Sequence, residues 1–248
     1  MKAIVTSRTG LLLCAALLAP VTHVFASDVF NQKAADQLSL IKFALPEYPS
    51  YLQQLGITEG TVAMAIERNA AGEVADVLVL ESTHYRFSDA ATEAAKVWRF
   101  APLAEGVSAI ATQIPIVRIQ FRMGDMSSVL MPTIYVGRPE MPVRPDQIKV
   151  ISFAELDRTL AAKTQPMPAF PAELARRGVR GTASVSFFVD DSGRVRVPVV
   201  TAADAPEFAQ AALAAVRQWR FDAPRKGGKK VTAFETWTFD FGTARRDS

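Results

Sequence analysis

The sequence predicts an α+β chain made of two copies of one domain. Each copy is ordered helix, strand, strand, helix, strand, giving a three-stranded antiparallel sheet with two helices on one face. Three observations predict it. First, the 248-residue chain matches itself when slid by about 121 positions: Gly60 and Gly72 fall on Gly181 and Gly193, Phe87 on Phe208, and Trp98-Arg99-Phe100 on Trp219-Arg220-Phe221. Second, stretches in each copy alternate apolar and polar residues with the period of a half-buried strand. Third, each copy has one stretch with apolar residues at helical spacing. So long a period means tandem domains rather than a solenoid of short repeats. The copies are placed at 44–123 and 165–243, with a lead segment at 27–43 and a linker at 124–164.

The elements follow in order. Pro49 and Pro171 open short helices over Ser50 to Leu55 and Ala172 to Arg177, where a fixed φ and a missing N–H cost nothing. Gly56 and Gly178 stop them. Val62, Met64 and Ile66 alternate in one strand, as do Ala183, Val185, Phe187 and Val189 in its copy. Asn69-Ala-Ala-Gly72 and Asp190-Asp-Ser-Gly193 are hairpin turns into second strands, Val74 to Leu80 and Val195 to Val200. Pro198 lies in the latter and implies an edge or a bulge. Phe87, Ala91, Ala94/Ala95 and Trp98 then form a helix face that Phe208, Ala212, Ala215/Val216 and Trp219 repeat; Ser88 is the expected N-cap. Third strands close the copies, Thr112 to Phe121 and Val231 to Phe241. The linker carries Pro132, Pro139, Pro142 and Pro145, and Ile148 to Ala161 reads as a strand or turn running into a helix at Phe153 that packs on a domain. In the lead segment, Ala34 to Phe43 reads as helical.

Composition narrows the function. The chain is 49% hydrophobic and 21% charged, which is globular composition. Its net charge of +3 falls to +1 over residues 27–248 (26 basic, 25 acidic), so a nucleic-acid-binding reading loses its support. Residues 1–26 read as a cleavable secretory signal: Lys2 and Arg8, then the apolar run Gly10 to Ala19, then Val24-Phe25-Ala26 before Ser27. An uncleaved anchor is the rival, but Pro20, Thr22 and His23 interrupt a span that needs about 20 apolar residues. A lipoprotein signal at Cys14 is disfavoured because Leu13 precedes it. Cleavage leaves no Cys and one His, His84, which reads as a solvated loop residue. Disulfides, Cys/His zinc sites, Cys nucleophiles and bound metals are therefore not expected. No phosphate loop is present, and Asp190-Asp191 has turn chemistry. No enzyme activity and no cofactor are expected, and the chain is read as periplasmic.

The carrying motifs resemble the C-terminal domain of the TonB family. They are Pro46-Glu-Tyr-Pro49 and Pro168-Ala-Phe-Pro171, the paired glycines, and the helix leading into Trp98-Arg99-Phe100-Ala-Pro102 or Trp219-Arg220-Phe221-Asp-Ala-Pro224. The chain departs from the family pattern at Phe170, where a Tyr is usual, and at Pro198. It also shows neither the anchor with its motor-contacting motif nor the long Pro/Lys/Glu-rich spacer of a complete transducer. Residues 27–44 would span only about 60 Å fully extended.

The resemblance implies that the edge of the last strand accepts an extended segment of an outer-membrane receptor or other envelope protein. Unpaired N–H and C=O groups on an edge are a template for it. The candidate edges are Thr112, Ile114, Ile116 and Arg118 in copy one and Val231, Ala233, Glu235, Trp237 and Phe239 in copy two. Pro115 would remove a donor from the first, so the second is favoured. The alternative is that the edges are sealed, by pairing of the copies within the chain or in a homodimer, leaving a structural envelope module. An accessory or anchored transducer is a further reading. Trp98 and Trp219 read as core anchors, and Arg99 and Arg220 as fold-internal pairing residues. Arg225, Lys226, Lys229 and Lys230 form a basic loop, either solvated or attractive to an acidic receptor segment or anionic envelope polymers. Copy one, at 44–123, has 6 basic and 9 acidic residues, and residues 165–248 have 13 and 9, an opposition that favours docking of the copies or two different ligands.

Overall fold

The computed structural model describes residues 40–102, 114–123, 129–135 and 151–242. The expected signal segment and Thr112 lie outside these residues. Copy one runs β1 (Leu40–Lys42), α1 (Ser50–Gln54), β2 (Glu59–Arg68), β3 (Val74–Ser82), α2 (Tyr85–Lys96), β4 (Arg99–Phe100) and β5 (Ile114–Arg122). The linker contributes β6 (Val129–Tyr135), β7 (Ile151–Ser152), a 3-10 turn at Phe153–Glu155 and β8 (Ala162–Thr164). Copy two repeats the plan as α3 (Ala172–Arg176), β9 (Thr182–Val189), β10 (Val195–Ala203), α4 (Pro206–Val216) and β11 (Arg220–Phe221). A small hairpin, β12 (Arg225–Lys226) and β13 (Lys229–Lys230), then leads into β14 (Ala233–Asp240).

The local chemistry repeats with the sequence. Gly72 and Gly193 turn the hairpins at φ 80° and 85°. A Cβ there would lie 2.1 Å from the Phe100 carbonyl oxygen and 2.0 Å from that of Phe221, so only glycine fits. Trp98 and Trp219 are fully buried, and each indole N–H donates to a carbonyl of the segment before the first helix, Ala44 at 2.8 Å and Pro166 at 2.9 Å. A buried indole thus satisfies its one donor while tying the domain entry to the core. Arg99 and Arg220 each donate to the carbonyl of the preceding tryptophan, at 2.9 and 2.7 Å. Pro198 sits on edge strand β10 at a bulge between Arg196 and Val199, with Val197 at φ 48°.

Several elements differ from the sequence reading. The helix α2 starts at Tyr85, not after Ser88: His84 is its N-cap, and its Nδ1 accepts from the Arg86 N–H at 3.1 Å. Both long helices stop before their tryptophan, because Arg99–Phe100 and Arg220–Phe221 pair as strands with β1 and β8. The end of the lead segment, read as helical, is therefore strand β1. The linker helix expected from Phe153 is one 3-10 turn. A Ser152/Glu155 capping box nucleates it, but Leu156 turns to extended ψ 156° and Asp157 is drawn to the β12–β13 turn. Each sheet also gains a linker strand, giving the orders β3-β2-β5-β6 and β10-β9-β14-β7.

Among the described residues the copies do not join edge to edge. Each sheet packs its helices on one face, around Trp98 in copy one and Trp219 in copy two. The opposite faces pack on each other: Ala63, Ala65, Leu78, Ile114 and Ile116 meet Phe188, Val197 and Phe234. The result is four layers, helix, sheet, sheet, helix. Acids of copy one meet arginines of copy two at this seam. Arg196 grips Asp76 through Nε at 2.7 Å and Nη2 at 2.6 Å, and Arg217 reaches Glu67 at 2.6 Å.

Candidate partner-binding edge

The last strands of the two copies have different neighbours. β5 is an inner strand: its register to β6 runs from Ile114↔Tyr135 to Gln120↔Val129. Ile114 and Ile116 are buried in the seam, and Arg118 pairs with Glu81 at 3.5 Å. The backbone edge expected to be open in copy one is thus occupied by the chain's own linker. In copy two, β7 runs parallel to β14 but pairs only with Ala233 and Phe234. Among the described residues, no strand lies beside Glu235 to Asp240 on that side.

The ladder phase identifies which groups face outward. Directly opposed antiparallel residues alternate between bonded and non-bonded pairs. Phe241 N–H donates to Gly181 C=O at 2.8 Å, and β14 then pairs with β9 in unbroken register. Residues 235, 237 and 239 therefore bond inward to β9. The outward N–H and C=O groups belong to Thr236, Thr238 and Asp240. The same phase holds in β5, where Met123 N–H donates to Thr58 C=O at 2.8 Å. Pro115 consequently faces β2, where the ladder ends at Ala65↔Ile116, and takes no donor from the outer edge. The side chains singled out from sequence, Glu235, Trp237 and Phe239, share one face, while the pairing groups lie on the residues between them.

Three features shape this edge. Glu235 Oε1 accepts the Thr236 N–H at 3.0 Å and covers the first outward donor, a common way to blunt an edge. Thr236 and Thr238 join Ser186 and Ser184 through hydroxyl pairs at 2.8 Å each. Trp237 is 41% exposed and stands edge-on to buried Trp219, ring centroids 5.4 Å apart. Beside Trp237 lies a groove of about 520 Å³ between β14 and the linker, walled by Phe153, Leu156 and Leu160, with Phe221 contributing from the core and Arg158, Thr159 and Gln165 also in the lining. Sequence reasoning misses these walls; their signal is the apolar spacing Phe153, Leu156, Leu160, which a packed helix would show equally.

Two other expected residues fall elsewhere. Val231 precedes β14, and its N–H donates to Pro224 C=O at 3.0 Å, closing the β12–β13 hairpin. The basic loop is that hairpin, turned by Gly227 and Gly228 at φ 59° and 74°. It clamps the linker: Lys226 pairs with Glu155, and the Gly227 and Gly228 N–H groups donate to Asp157 at 2.7 and 2.9 Å. Those two bonds, Gly228 first, hold the Asp157 carboxyl below its ordinary range. Lys229 and Lys230, its second strand, remain exposed.

Pro49 and Pro171 take the N-cap positions of α1 and α3 with φ −64° and −62°. Phe100 and Phe221 are buried in the two helix-side cores. Among the described residues there is no group of three or more His, Cys, Asp or Glu placed to hold a metal. No helix among them is long and apolar enough to cross a membrane.

A family model described as the Gram-negative bacterial TonB protein C-terminal matches residues 44–123 and 166–243. Among solved structures, the chain is similar to the solution NMR structure of the Pseudomonas aeruginosa TonB C-terminal domain. The two are 28% identical over 36% of this chain and 92% of that one, with a TM-score of 0.32. No curated protein matches the chain.

Proposed function

We propose, from the premise that the chain belongs to the TonB C-terminal family, that it is an exported envelope protein that binds extended segments of outer-membrane proteins by strand addition to β14. The observation that carries this reading is the contrast between two equivalent strands. β5 is covered by a seven-residue strand, whereas among the described residues β14 carries a partner strand on that side only at Ala233 and Phe234. Thr236, Thr238 and Asp240 then offer main-chain bonds, and alternate side chains offer selectivity. Glu235 releases the Thr236 N–H when a segment arrives. Export rests on the signal read at residues 1–26. The domain boundaries follow the repeat, at 44–123 and 165–243. The role is binding rather than catalysis.

The test is a titration of the isotope-labelled chain with peptides copied from the N-terminal segments of outer-membrane receptors. Shifts centred on the amides of Thr236, Thr238 and Asp240 support the reading. No shift, with those amides already slow to exchange, would overturn it in favour of a structural module with sealed edges.

A further inference from the structure

We propose that the groove beside Trp237 is a specificity subsite that takes one large apolar side chain of the segment added to β14. This rests on the strand-addition reading above. Trp237 bonds inward, so a residue set opposite it on an added antiparallel strand forms the close, non-hydrogen-bonded type of pair. The two side chains then stand together on the same face of the sheet. On that face, beside Trp237, the groove of about 520 Å³ opens between Phe153, Leu156 and Leu160. Its size admits a side chain such as Leu or Phe.

The chain itself indicates the occupant's chemistry. Copy one seats its own segment on the equivalent edge, and Gly60/Phe121 correspond to Gly181/Phe241 in register. Ile119, Val117 and Pro115 therefore correspond to Phe239, Trp237 and Glu235. Their register partners on β6 are Leu130, Pro132 and Ile134. An uncharged, apolar, extended segment is what this edge takes in copy one, with an apolar residue opposite the position of Trp237. The linker also fixes where such a segment begins. β7 leaves β14 after Phe234, and its continuation becomes the groove wall. That wall is pinned by Asp157 to the Gly227 and Gly228 amides and by Glu155 to Lys226. The segment is thereby registered on Glu235 to Asp240, with its central apolar residue at the groove.

The probe is a blocked synthetic peptide copying residues 128–136, titrated into the purified chain and followed by Trp237 fluorescence and backbone amide shifts. Three versions carry Pro132→Leu, Pro132→Ala or Pro132→Asp at the position facing Trp237, and a fourth Leu version is N-methylated at Met131 and Thr133. Burial of the extra apolar surface of Leu over Ala predicts about tenfold tighter binding, and Asp weaker than Ala. Leu156→Ala in the protein reduces the Leu-over-Ala preference to about threefold or less, with the amide shifts retained. N-methylation abolishes binding. Equal affinity of the Leu, Ala and Asp peptides, with N-methylation still abolishing binding, overturns the subsite and leaves strand addition standing. So does a Leu preference that Leu156→Ala leaves untouched. No binding by any peptide, or unchanged binding of the N-methylated one, overturns strand addition and the subsite with it.

Discussion

Replacing Arg196 and Asp76, singly and together, tests whether the two copies form one cooperative body. Arg196 is 22% exposed and Asp76 30%, so the pair is neither fully solvated nor deeply buried. An exposed ion pair contributes about 0.2–1 kcal/mol, and a hydrogen bond to a charged group about 1.5–3 kcal/mol. Here two such bonds, 2.7 and 2.6 Å, run in parallel from one guanidinium to one carboxylate. A coupling energy of about 1.5–2 kcal/mol follows after discounting for solvent. Arg196 also donates to Val77 C=O at 3.0 Å and approaches Asp190 at 3.6 Å. Arg196→Met therefore costs more than Asp76→Asn, about 3 against 2 kcal/mol. The assay is urea unfolding of the four proteins with fluorinated tryptophan, because Trp98 reports copy one and Trp219 copy two from full burial. Both signals are expected to move together, since the apolar seam around Phe188 and Phe234 joins the sheets. A coupling below about 0.3 kcal/mol, or a Trp98 transition that ignores Arg196→Met, refutes the seam as a shared core.

Other substitutions test other contacts. Tyr48 donates to Ile57 C=O at 2.6 Å, while Phe170 makes the same aromatic contacts in copy two without the hydroxyl. Tyr48→Phe is expected to cost about 1 kcal/mol and Phe170→Tyr to gain up to about that much, read from denaturant midpoints. Burial raises the Glu67 carboxyl above its ordinary range, outweighing the bond from Arg217. A raised folded value means that the contribution is favourable below the unfolded range and lost as pH rises through the folded one. The stability of the natural chain relative to Glu67→Gln should therefore fall on going from acid to neutral pH, and an opposite slope refutes it. Hydrogen exchange should separate the edges, with Ile116, Arg118 and Gln120 protected by β6 and Thr238 and Asp240 exchanging fast. Equal protection of the two sets would remove the asymmetry on which the candidate site stands.

The repeated core was legible because its determinants are local. An alternating strand, a glycine that must turn at positive φ, and an apolar helical stripe each declare themselves within a dozen residues, and the second copy supplies each a control. Pro198 announced its bulge for the same reason. The helix ends were less legible, since Trp98 and Trp219 keep the helical spacing but the residues that follow them, Arg99-Phe100 and Arg220-Phe221, are taken over by strand pairs formed with distant segments. β6 was hidden by Pro132, which normally argues against a strand. It is tolerated because residue 132 opposes Val117, whose pairing groups face β2 rather than β6. For the site, the sequence indicated the strand and the face but not the phase. Which residues offer backbone groups depends on one inter-strand bond, Phe241 to Gly181, that no periodicity encodes.

The asymmetry between the copies follows from the linker rather than from the domains. β5 and β14 have the same place in their sheets, the same phase and the same antiparallel partner, so isolated copies would present the same edge. One linker supplies strands to both. It lays seven residues along β5 and two along β14, then turns away into a 3-10 step because Ser152 and Glu155 cap it and Asp157 finds two amide donors in the Gly227-Gly228 turn. The same departure that, among the described residues, leaves the outer side of Glu235 to Asp240 without a strand also builds the wall of the groove beside Trp237. Edge and subsite are thus one consequence of a single turn, and substitutions that unpin Asp157 should disturb both together while leaving the β5–β6 ladder intact.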